Sequence, residues 1–131
     1  MLFRSDSSRI LDKFLRKVIK FNGKELNLEI ADTSDKRAMG LQYRDSLDND
    51  CGMLFIFDEP QDVSMHMRNV KFPIDMFFLD KKWNIIKRYT AQPEEQNINC
   101  PKVKYVIEVP VETFKKDASI KETFDLMKDS F

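Results

Sequence analysis

Four charged residues, Arg37, Arg68, Asp75 and Glu108, hold the most chemical promise in this chain. Asp75 stands between Ile74 and Met76 just after Pro73, and Glu108 stands among Val106, Ile107 and Val109, so both carboxylates emerge beside apolar runs. A carboxylate taken out of water needs a partner, and Arg37, Arg44 and Arg68 are the candidate cations. Two readings follow. In one, an arginine–carboxylate pair fixes the approach of a helix to a sheet. In the other, Asp75, Glu108 and Arg37 surround a polar cleft of a small ligand-binding or hydrolase-like domain, the carboxylates acting as an acid/base pair while Arg37 or Arg68 binds an anionic substrate. Two carboxylates on separate strands are a weak signal, because most domains of this size contain such a pair.

Other groups carry less. Met65-His66-Met67 offers two soft thioethers and an imidazole, a set that suits copper. On an extended strand Met65 and Met67 share one face and His66 takes the other, so the three do not converge and no metal site is expected. His66, the only histidine, has no Ser or Cys close in sequence to act on as a general base. Cys51 would need a lowered pKa to act as a nucleophile. Cys51 and Cys100 form no CxxC, so the expectation is two reduced thiols and no cofactor. Trp83, Tyr89 and Tyr105 interleave with Lys82, Lys87, Arg88, Lys102 and Lys104, a pattern that could stack on and neutralise a single strand of nucleic acid. The 22 basic residues are balanced by 22 acidic ones, so no positive field supports that role and no nucleic-acid partner is expected.

The elements that must position these groups form one domain of 131 residues, 42% hydrophobic and 34% charged, a composition that excludes disorder, collagen and coiled coil. With 11 Phe, 7 Met and only 3 Gly, large side chains fill the core, and no phosphate-cradling glycine motif occurs. No signal peptide and no apolar run long enough to span a bilayer is visible, so the protein is expected to be soluble, in the cytoplasm or within a virus particle.

Ile10, Leu11, Phe14, Leu15 and Val18 fall at helical spacing and predict an amphipathic helix over Ser8–Val18. Asn22-Gly23 between Val18-Ile19-Lys20-Phe21 and the alternating Leu26–Ile30 predicts a tight hairpin. Thr33 caps a short helix over residues 34–39, closed by Gly40. The run 52–57, bounded by Asp58-Glu59-Pro60, reads as a buried strand, and Val63, Met65 and Met67 as an alternating one. Residues 74–79 and 83–89 read as a second hairpin, 91–101 as an exposed loop, 102–109 as a strand stopped by Pro110, and Ile120, Phe124, Met127 and Phe131 as the apolar side of a C-terminal helix.

Taken together in their order and spacing, Asp35-Lys36-Arg37-Ala38-Met39-Gly40-Leu41, Gly52-Met53-Leu54-Phe55-Ile56-Phe57, Met67-Arg68-Asn69, Phe72-Pro73-Ile74-Asp75 and Tyr105-Val106-Ile107-Glu108-Val109-Pro110 resemble the domain of unknown function 192 family, over roughly Val18 to Ile120. The resemblance implies a small mixed domain with a curved β-sheet and supplies no activity, substrate or cofactor. Arg37, Gly40, Leu41, Gly52, Met53, Phe55, Phe57, Met67, Asn69, Pro73, Asp75 and Glu108 match the family pattern. The chain departs from it at Gln42, where the family tends to have Met, at Met65-His66 in place of Phe-Trp, at Val70 in place of Thr and at Glu112 in place of Gly.

The expected fold is thus α+β: a single domain over 1–131 with a strongly curved, mostly antiparallel β-sheet, short helices at its edges, an N-terminal helix (1–17), a family-like core (18–119) and a C-terminal helix (120–131). Terminal amphipathic helices suit chain ends that dock into a larger assembly. The first functional expectation is a non-enzymatic binding or structural module acting through contacts with other protein chains, as an accessory component of a large complex such as a virus particle. The alternative is the polar-cleft domain described above.

Overall fold

Two hairpins and one crossover build the sheet. The computed structural model describes residues 14–21 and 24–114. Strands β1 (Leu15–Phe21) and β2 (Lys24–Ala31) pair antiparallel from Leu15↔Ile30 to Phe21↔Lys24, the register that a two-residue connection at Asn22-Gly23 requires. Helix α1 (Ser34–Met39) begins at Thr33, whose Oγ1 accepts from the Lys36 backbone N–H at 3.2 Å, and ends at Gly40 with φ 51°, a backbone conformation that a side chain would strain. The chain then crosses over to β3 (Cys51–Met65), which lies parallel to β2.

β3 pairs antiparallel with β6 (Ile98–Pro110), and β4 (Ile74–Leu79) lies antiparallel between β6 and β5 (Ile85–Ala91), giving an open mixed sheet of six strands in the order β1-β2-β3-β6-β4-β5. A 3-10 turn over Val111–Thr113 follows. At Gly52 the backbone of β6 leaves no room for a side chain: a Cβ there would stand 2.2 Å from the Glu108 carbonyl oxygen, so only glycine fits.

Both faces of the central strands are apolar, which is why their sequences read as continuous runs rather than alternations. Met53, Phe55, Met76, Phe78 and Val106 face one way, under Leu41, Met67 and Val70. Leu54, Phe77, Leu79, Ile107 and Val109 face the other, with Leu26, Leu28, Trp83 and Phe114.

Several sequence expectations are corrected. Leu15 to Val18 form part of a strand and not the end of a helix; at β1 the apparent helical spacing leaves Leu15 72% and Val18 59% exposed while Ile19 is fully buried, the outcome of pairing with β2. The remaining residues of the expected N-terminal helix, and the whole expected C-terminal helix, lie outside the described residues. Asp58-Glu59-Pro60 do not end a strand, and residues 98–101 belong to β6 rather than to a loop. Both errors came from proline: Pro60 falls in the register shift between Ile56 and Gln61, and Pro101, between Cys100 and Val103, falls opposite the next shift, between Gln61 and Val63, positions where no ladder N–H is needed. β3 ends at Met65, so His66 and Met67 lie beyond it. No helix among the described residues is long and apolar enough to cross a membrane.

Candidate functional site

Sheet register decides which carboxylates can meet. Glu108 on β6 stands opposite Met53 on β3 and Met76 on β4, whereas Asp75 on β4 stands opposite Val109. The two acids are one register step apart on neighbouring strands, and because side chains alternate along a strand they point to opposite faces. The expected Asp75–Glu108 acid/base pair therefore does not form.

Asp75, 2% exposed, is fully engaged on its own face. Thr90 Oγ1 donates to its Oδ1 at 2.5 Å and Arg88 Nη2 to its Oδ2 at 3.2 Å, both from the neighbouring β5. Its cation is Arg88, a residue weighed only as part of a basic surface, and not Arg37, Arg44 or Arg68. Arg44 instead holds Glu29 through two hydrogen bonds of 2.6 and 2.9 Å, a buried fork that ties the segment after α1 to β2. It is not the expected pair of a helix with Asp75 or Glu108, since Arg44 lies beyond α1 and Glu29 was not among the candidate carboxylates.

Glu108 is 4% exposed, and among the described residues nothing donates to or pairs with its carboxyl group. Burial alone pushes its pKa from 4.5 up to about 8, so it is mostly a neutral acid at pH 7. It lines a cavity of about 310 Å³ between α1 and the bulged part of β3, together with Arg37, Gln42, Phe55, Met65 and His66. Arg37 is held by its Nη1–H bond to the Ile56 carbonyl at 2.8 Å and lies over the Phe57 ring at 5.3 Å. Its distance to Asp58, 85% exposed, is 4.0 Å. Arg37 and Glu108 thus share one cavity, Asp75 is behind the sheet, and Arg68 is exposed outside the cavity lining.

His66 enters this site through the end of β3. Its Nδ1 accepts from the Arg68 backbone N–H at 3.1 Å, which leaves the ring proton on Nε2 in the neutral form, and burial followed by the charge of Arg68 holds its pKa below the ordinary value. Met65 lines the same cavity while Met67 is 1% exposed in the core, so these two sulfurs serve different places. No cluster of three or more His, Cys, Asp or Glu among the described residues is arranged to hold a metal ion. Gln42, Gln61 and Ser64 also reach the cavity; Gln61 and Ser64 gave no sequence signal, and Gln42 only as a departure from the family pattern.

The remaining candidates are spoken for. Burial, then Asp48 and Glu29, raise the Cys51 thiol, the opposite of what a nucleophile needs. Trp83 stacks on Tyr105 at 3.7 Å, and Lys104 Nζ donates to the carbonyls of Phe57 and Asp58 at 2.6 and 3.0 Å, so these aromatic and basic residues serve internal contacts.

Comparison with known proteins gives a family and a fold. A crystal structure from Sinorhizobium meliloti 1021, whose name proposes a transcription regulator, is 34% identical with a TM-score of 0.66, over 77% of this chain and 81% of that one. A protein of unknown function from Novosphingobium aromaticivorans DSM 12444 shares the fold at 22% identity and a TM-score of 0.63, over 74% of this chain and 73% of that one. None of the curated proteins matches. The DUF192 family, described as "Uncharacterized ACR", matches residues 17–122. Arg37, Gly40, Phe55 and Glu108, which follow the family pattern, and Gln42, Met65, His66 and Val70, which depart from it, line the same cavity. With its sheet, its colinear motifs and most of its length accounted for, the chain belongs to the DUF192 family of uncharacterised proteins.

Proposed function

We propose that the chain is a small-molecule-binding domain whose ligand sits in the cavity between α1 and β3, against Glu108. The observation that carries this reading is the Glu108 carboxyl group, almost fully buried, without a partner among the described residues, and lining a cavity. Its oxygens stay reachable from the cavity rather than sealed in the core, so a ligand entering there can supply the hydrogen bonds that the described residues do not. The volume, about 310 Å³, lies at the small end of the range of roughly 300–1,000 Å³ for ligand sites. A small-ligand sensor is compatible with the regulatory role proposed in the name of the Sinorhizobium relative.

A thermal-shift screen of small polar compounds on the wild type and on Glu108→Leu tests the reading. At least one compound is expected to raise the Tm of the wild type and leave the variant unmoved. If no compound acts and the variant is simply more stable, Glu108 has no ligand and the reading fails.

A second reading, contact with other protein chains, is favoured by one observation: Leu15 and Val18 are exposed large apolar residues on β1, a strand at the edge of the sheet. It requires a native mass well above 15.5 kDa by light scattering, restored to that of a monomer by Leu15→Lys with Val18→Lys.

A further inference from the structure

Of the ionisable groups lining the cavity, the three that are not exposed, Arg37, His66 and Glu108, keep unspent hydrogen-bonding capacity. Arg37 uses Nη1 on the Ile56 carbonyl, and among the described residues its Nε and Nη2 donate no hydrogen bond. His66 presents Nε2–H, its Nδ1 being occupied. Glu108 has neither donor nor acceptor engaged. The rest of the wall is largely apolar, with Phe55, Met65 and Val70.

We infer that the ligand is a small carboxylate with an apolar body, its oxygens accepting from the guanidinium of Arg37 and meeting the carboxyl group of Glu108 while its carbon skeleton lies on Phe55 and Met65. This deepens, and rests on, the ligand-binding reading above. A carboxylate answers the charge of Arg37, and the O–H···O⁻ bond that a neutral acid offers it is short and charge-assisted. A neutral amide leaves the Arg37 charge unanswered. An ammonium meets Arg37 as a like charge and requires Glu108 to ionise, which at pH 7 lowers affinity about tenfold for a group titrating near 8. The charged or titratable groups at the cavity are Arg37 from α1, Asp62 from β3, His66 just after it and Glu108 from β6, with Asp58 beside Arg37. Asp62 and Asp58 are exposed, so water and salt screen them.

The test is calorimetric titration of the full chain with hexanoate, hexanamide and hexylamine at pH about 6.5 and about 9, either side of the Glu108 transition. Hexanoate is expected to bind about tenfold tighter than the other two at the lower pH and to weaken about tenfold at the higher one, as Glu108 gains a charge that repels it. Glu108→Gln should keep hexanoate binding and lose that pH dependence. Arg37→Gln should lose binding, and Arg37→Lys should recover part of it, with amide-proton spectra showing each variant folded. Preference for hexylamine, growing toward high pH, overturns the carboxylate assignment and leaves a ligand site standing. Equal binding of all three, or of none, also overturns the assignment; the site itself falls only on the separate Glu108→Leu result above.

Discussion

Asp75 and Glu108 sit one register step apart in the middle of the same sheet, equally buried, and have opposite surroundings. On one face Asp75 meets Thr90 and Arg88, so its charge is answered from the neighbouring strand. On the other, Glu108 lies between Met53 and Met76 in register and has no partner among the described residues. Burial therefore does not mark a site; burial without compensation beside a cavity does. One carboxylate fastens β5 to β4, and the other keeps hydrogen-bonding capacity in reserve.

The sharpest break between the two is their effect on stability as pH changes. Glu108 titrates near 4.5 when unfolded and near 8 when folded, so between these values the native state binds the extra proton and stability falls as pH rises. The loss is absent below pH 4.5, complete above about 8, and on the order of 5 kcal/mol in all. Urea unfolding of the wild type and Glu108→Gln across this window checks it: the stability of the wild type relative to the variant should fall steadily as pH rises, and parallel curves would mean that Glu108 has a partner after all.

Removing the cation from the other carboxylate should cost nearly as much, at constant pH. Arg88→Met leaves Asp75, 3% exposed at its side chain, with only the Thr90 hydroxyl, and breaking such a pair from one side costs about 3 kcal/mol. Glu108→Leu has the opposite sign, a gain at neutral pH, because it removes an uncompensated group. Denaturation midpoints of the two variants moving in the same direction would erase the contrast between the faces.

How much of this was legible in the residues follows from the range of the interactions. The antiparallel pairing of β1 with β2, the cap at Thr33, the end of α1 at Gly40 and the β4–β5 hairpin depend on neighbours in sequence, and all were readable. The full length of β3 and β6 was not, because Pro60 and Pro101 look like strand ends until the two strands are paired and the prolines fall at two successive register shifts. Glu108, singled out for its apolar neighbours, and Arg37, singled out as a candidate cation, both line the cavity. Asp75 was grouped with them because sequence shows that a carboxylate is flanked by apolar residues but not which face it takes; the register with β6 supplies that. Arg88 and Glu29 were passed over as partners because each meets its counterpart only through tertiary pairing. His66 and Gln42 gave no reason to be placed beside Glu108, since the loop after β3 and the exit of α1 bring them there.

The smallest effect probes how Asp75 divides its satisfaction between its two donors. Thr90 lies directly across from Asp75 in the β4–β5 register, so its hydroxyl reaches Oδ1 without ordering a long side chain, and its backbone is already fixed by the strand. Thr90→Val keeps the β-branched shape that suits a strand and removes only the O–H donor, so the cost should be that of one hydrogen bond to a charged acceptor, about 1.5 kcal/mol. Made together with Arg88→Met it should cost more than the two singly added, because the second removal leaves a buried charge with no donor from either residue while the first removal does not. A double-mutant cycle by urea denaturation measures that excess. An additive result would show that water reaches Asp75 as soon as Arg88 is gone, making the engaged face of the sheet as open as the face that carries Glu108.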